Sequence, residues 1–115
     1  MELLKKDRRN MGRNRTADVM ISPAQKQAYF TLTESARGKL YSERLAFGVE
    51  GNRLYFVETD DPDVGYKIAK SPRSNLYVVA AGKSVLKWLK GRKGYFNLIY
   101  DTDKKSYYIE MRKEV

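Results

Sequence analysis

At 115 residues with 42% hydrophobic content, the chain has the size of one domain able to bury a real core. Its 23 Lys and Arg against 14 Asp and Glu leave a formal charge of +9, which attracts nucleic acid, anionic lipid or an acidic protein. The lack of Cys and His excludes thiol nucleophiles, disulfides, thiolate- or imidazole-bound zinc and the usual general base, so neither an enzyme nor a cofactor is expected.

Residues 1–16 carry Lys5, Lys6, Arg8, Arg9, Arg13 and Arg15 against Glu2 and Asp7, without helical periodicity. They read as a basic, flexible arm that can follow a phosphate backbone or only aid solubility. The order of charged, apolar and small residues that marks a secretory signal is absent, and no apolar run approaches the roughly 18 residues of a membrane span. A cytoplasmic protein with no membrane partner is the default expectation.

Residues 17–115 read as one globular domain. A short apolar strand over 18–22 stops at Pro23, and a second runs over 28–32 after a polar turn at 24–27. Thr31 with Glu34 fits a capping box, Thr33 competes as the cap, and a short helix over 34–40 follows. Leu45, Phe47 and Val49 alternate with smaller or polar residues, Gly51-Asn52 supplies a turn, and 54–58 returns as the second arm of a hairpin. Asp60, Asp61 and Asp63 could gather around magnesium, but beside Pro62 and Gly65 they are accounted for as loop formers, and no metal site is expected. A strand over 65–69, a loop over 71–74 and a strand over 76–79 come next.

The spacing then predicts an amphipathic helix over 81–90, with Val85, Leu86, Trp88 and Leu89 on its packing side and Lys83, Lys87 and Lys90 on the other. Gly91 and Gly94 end it, Arg92 and Lys93 lie at its negative dipole end, and a hairpin over 95–101 and 106–111 closes the chain. From residue 64 to residue 100 there are eight Lys and Arg and no acid. A lysine face is ordinarily just solvated, but solvated faces mix both signs, whereas a run of one sign is the footprint of a polyanion partner. The aromatic residues interleaved with these cations could stack bases on a sheet, although Phe47, Phe56, Phe96 and most Tyr are expected to fill the core.

The segments 28–58 and 75–110 share the order strand, helix, hairpin. The predicted fold is therefore α+β: mostly antiparallel sheet with two short helices, in two βαββ-like repeat units, 18–63 and 64–115, whose sheets close on each other about a pseudo-twofold axis. In the first unit, Val19-Met20-Ile21-Ser22, Tyr29-Phe30-Thr31-Leu32, Ala36-Arg37 with Leu40, and the hairpin over 45–57 follow one another. This order resembles the AbrB/MazE-like swapped-hairpin family over about 40 residues. The chain departs from the family in having Tyr41-Ser42-Glu43-Arg44 where a glycine-aspartate approach is usual. The resemblance implies DNA binding by paired units, with Lys26, Arg37 and Arg44 facing the DNA.

The function expected from these readings is non-enzymatic DNA binding, transcriptional regulation being one role that fits. Phosphates would be met by Lys83, Lys87, Lys90, Arg92 and Lys93, with Lys67, Lys70 and Arg73 nearby, and by Arg8, Arg9, Arg13 and Arg15 of the arm. The alternative is a structural or protein-interaction module, such as a phage or mobile-element accessory protein, that turns its basic face to an acidic partner. A homodimer is compatible with either.

Overall fold

The computed structural model describes residues 17–72 and 74–111. The elements are β1 (Val19–Pro23), β2 (Ala28–Leu32), α1 (Glu34–Lys39), β3 (Arg44–Glu50), β4 (Arg53–Thr59), β5 (Tyr66–Lys70), β6 (Tyr77–Ala81), α2 (Lys83–Leu89), β7 (Gly94–Phe96), β8 (Ile99–Asp101) and β9 (Ser106–Glu110). All nine strands form one antiparallel sheet, in the order β7-β1-β2-β6-β5-β3-β4-β9-β8, curled into a half-barrel.

Strand makes up 48% of the structure and helix 14%, which corrects the expected α+β class to a nearly all-β one. The physical reason lies in the helices, which have only six and seven residues and cannot persist without the sheet they cover. Ala81, expected inside the second helix, instead continues β6 and pairs with Ala28. At the other end Lys90 adopts a left-handed conformation (φ 54°) and stops the helix one residue before Gly91. Nor do two separate sheets close on each other, because β2 pairs directly with β6 and joins both halves into one surface.

Around that central contact the pairing follows the same plan on both sides. The β1–β2 hairpin lies on one side and the β5–β6 hairpin on the other. The strand after α1, β3, pairs with β5 of the other half, and the strand after α2, β7, pairs with β1. Each helix thus carries the chain across to its opposite half. The two outermost strands, β7 and β8, have three residues each, which keeps the open edges short.

Local chemistry accounts for several boundaries. Thr33, not Thr31, caps α1: its hydroxyl oxygen accepts the Ala36 N–H at 3.3 Å, while Thr31 lies within β2. Gly51, at φ 61°, makes the tight turn of the β3–β4 hairpin. Gly65 is buried where a Cβ would stand 2.5 Å from Thr59 Cγ2 and 2.9 Å from Arg44 Cβ, so only glycine lets β5 approach this closely.

Of the hairpin expected over 95–101 and 106–111, residues 99–101 do pair with 106–108, but the first arm is shorter than expected because residues 94–96 pair with β1 instead. Asp18 holds the switch between them. Its N–H donates to Phe96 O at 3.1 Å and to Asn97 Oδ1 at 3.2 Å, and its carboxylate accepts the N–H of Leu98 at 2.9 Å. Lys39 of α1 donates to the same carboxylate at 3.0 Å. Burial alone would raise the Asp18 carboxyl, but the Leu98 N–H, Lys39 and Ser35 favour the ionised form and hold it below its ordinary value.

The core lies inside the curl. Phe30, Phe47 and Phe56 pack at ring-centre distances of 4.7 to 5.7 Å, and Ala36 and Leu40 from the α1 side join Val85 and Leu89 of α2 in the same cluster. Both helices therefore cover the inner side of the sheet. On the outer side, Tyr95, Met20, Thr31, Val78 and Ala69 stand side by side across β7, β1, β2, β6 and β5. Tyr29 lies one pleat further along β2, opposite Ser22 and Ala80.

Candidate nucleic-acid interface

The helix α2 is held by its apolar side, and this sets the direction of its charges. Val85 and Leu89 are buried, and Leu86 and Trp88 pack half-buried against the core. Lys83 and Lys87, four residues apart, then share the exposed side, as the periodicity predicts. Lys90 is exposed as well, but its left-handed backbone puts it at the exit of the helix and out of the expected helical row. Lys93 is exposed two residues beyond Gly91.

Arg92 has a different job. Its Nε donates to Leu89 O and its guanidinium to Trp88 O, both at 2.8 Å, and the guanidinium lies 4.7 Å from the centre of the Trp88 ring. It satisfies carbonyls that the last turn leaves without intrahelical donors and sits at the negative end of the helix dipole. The structure thus gathers Lys83, Lys87, Lys90 and Lys93 around α2 and its exit, and commits Arg92 to holding that exit in shape.

The remaining expected contacts are dispersed. Lys67 projects from the outer face of β5, away from the core that α2 covers, and Lys70 donates to Ser74 O at 3.2 Å. Arg8, Arg9, Arg13, Arg15 and Arg73 lie outside the described residues. Of the positions implied by the family resemblance, Lys26 is exposed, but Arg37 donates to Leu40 O and Ser42 O and lies 5.3 Å from the Tyr77 ring centre. Arg44 donates to Gly65 O at 3.2 Å.

Among the described residues, the cations with carboxylate partners are elsewhere. Lys39 pairs with Asp18, Arg53 with Asp101 and Glu110, and Lys104 with Glu50. None of Lys26, Lys67, Lys83, Lys87, Lys90 and Lys93 has such a partner among them. One acid does approach in space where the sequence near α2 has none: Glu110 of β9 lines a groove with Arg92, Lys93 and Tyr95.

The aspartates are used locally. Asp61 accepts the Asp63 N–H at 2.9 Å and Asp60 the Glu43 N–H at 3.4 Å. Asp101 accepts the Tyr55 hydroxyl at 2.7 Å, and that bond, with the N–H groups of Lys104 and Asp103 and the charge of Arg53, keeps its carboxyl below the ordinary value despite partial desolvation. Among the described residues no group of three or more His, Cys, Asp or Glu is placed to hold a metal ion. No helix there is long and apolar enough to cross a membrane.

No family model, curated protein or solved structure matches this chain.

Proposed function

We propose that the protein is a non-enzymatic nucleic-acid-binding module whose duplex-facing surface is the exposed side and exit of α2. Lys83, Lys87, Lys90 and Lys93 contact phosphates, and the sequence of residues 1–16 adds further cations. The observation that carries this reading is the division of labour among the basic residues. Those elsewhere are largely tied to carboxylates or backbone carbonyls, whereas the lysines around α2 remain exposed without a carboxylate partner among the described residues. Keeping like charges together costs self-repulsion, which a polyanion relieves. The two halves, 18–63 and 64–115, are read as duplicated units, of which the second bears the binding face. Transcriptional regulation is one role for such a module.

The test is a titration of duplex DNA at several salt concentrations. Affinity should fall linearly on logarithmic axes, with a slope of about −0.9 per phosphate neutralised. A parent protein that binds no DNA at low salt removes this reading and leaves the module with an acidic protein partner.

A further inference from the structure

The outer face of the sheet poses a question that α2 does not answer. An antiparallel sheet with one covered face ordinarily turns charged and polar residues to water on the other. Here the inward positions of β1, β2 and β6 fill the core, yet the outward ones include Met20, Tyr29 and Val78, with Tyr95 beside Met20 on β7. Tyr29, whose hydroxyl donates to Gln27 Oε1 at 2.9 Å, is 36% exposed, and Tyr95 is 52% exposed. A contiguous, largely uncharged face of this kind marks a binding surface.

The charges around the face decide what it takes. Its outward positions on β1, β2, β5, β6 and β7 include no carboxylate. Lys67 projects from the face itself, Lys26 stands in the β1–β2 turn, and Lys93 lies two residues before Tyr95. Two carboxylates come close from outside these strands' outward positions: Glu34 lines a groove with Met20, Thr31 and Tyr95 of the face, and Glu110 lines another with Lys93 and Tyr95. Burying this face against a second copy would bring like lysines together in a chain that already carries +9. A single-stranded nucleic acid instead offers flat apolar bases for the tyrosines and phosphates for the lysines, and aromatic side chains between basic ones are the usual means of holding it.

We infer that this face is a platform for single-stranded nucleic acid, with bases stacked on Tyr29 and Tyr95 over Met20 and the backbone held by Lys26, Lys67 and Lys93. The inference rests on the nucleic-acid reading above and adds a second surface and a second form of ligand. Apart from Lys93, which lies where the two surfaces meet, it is distinct from the lysine face of α2, which belongs to the core-covering side of the sheet.

The test uses the full chain, a short mixed-sequence DNA single strand and the corresponding duplex, with binding followed by fluorescence anisotropy. The double substitution Tyr29→Ala, Tyr95→Ala should weaken single-strand binding by about tenfold or more while leaving duplex binding near the parent's value. The double substitution to Phe keeps both rings and should retain the parent's single-strand affinity, which separates stacking from loss of fold. Equal single-strand binding by the Ala variant and the parent would overturn the platform without touching the duplex reading. A parent that binds neither DNA overturns both. A parent that sediments as a dimer, and becomes monomeric in the Ala variant, assigns the face to self-association and also overturns the proposal.

Discussion

The two helices occupy corresponding places in the sheet plan and are anchored alike, yet their surroundings have opposite charge. Each buries one small and one large apolar group, Ala36 and Leu40 around α1 and Val85 and Leu89 in α2. Each has an arginine that donates to carbonyls at its exit, Arg37 to Leu40 O and Ser42 O, and Arg92 to Leu89 O and Trp88 O. Beyond the anchors they diverge. The exit of α1 opens on a groove containing Glu43, Glu58 and Asp60, whereas Lys90, Arg92 and Lys93 mark the exit of α2. The packing plan is shared, and what separates the halves is surface charge, which can change without disturbing a fold.

The comparison can be tested first through the anchors. Leu40→Ala and Leu89→Ala each remove a fully buried side chain and should each cost about 3 kcal/mol in urea unfolding. Similar losses would support equal structural roles, and a large loss at one site alone would break the equivalence.

Asp18→Asn should come next, at about 2 kcal/mol near neutral pH, because it removes the Lys39 pairing and weakens the acceptor for the Leu98 N–H. The folded pKa lies below the unfolded one. The carboxylate's stabilisation is therefore complete above the ordinary Asp value and disappears as pH falls through the folded value. Unfolding curves of parent and variant should converge in acid. A difference that persists there would show that the effect is not one of ionisation.

Arg37→Met and Arg92→Met should each cost about 1 kcal/mol in thermal or urea unfolding, through carbonyls that lose a charged donor. Similar losses would sharpen the likeness of the two exits. Smallest in stability, and largest in binding, is Lys83→Glu with Lys87→Glu. These exposed groups should shift stability by only a few tenths of a kcal/mol, while duplex DNA affinity and its salt slope fall. Unchanged affinity would show the lysine face to be merely solvated.

Local chemistry made part of this molecule readable in advance. Gly51-Asn52 between alternating apolar runs announced the β3–β4 hairpin, a polar cap placed α1, and apolar spacing placed α2 to within two residues. The fold class was misread because periodicity does not show that Ala81 still belongs to β6 and that a helix of only seven residues follows, and because strands such as β7 are defined by distant partners. Asp18 carries no sequence signal of its own: its partners at Asn97 and Leu98 are 79 and 80 residues away. Arg92 looked like one more surface cation, because sequence does not reveal that its guanidinium folds back onto Trp88. The two outward tyrosines could not be told from core tyrosines until register assigned them to the bare side of the sheet.

The pairing of β7 with β1 also governs how the molecule is made. While a chain is being synthesised, β1 and β2 emerge early, but the strand that completes β1 and the N–H that meets Asp18 lie near the other end of the chain. Contacts so distant in sequence form slowly, and until they form, β1 offers an unpaired edge with a buried carboxylate only partly satisfied. A truncation or translational pause before residue 94 should therefore leave a species whose first strand is open to capture by the same strand of a neighbouring nascent chain.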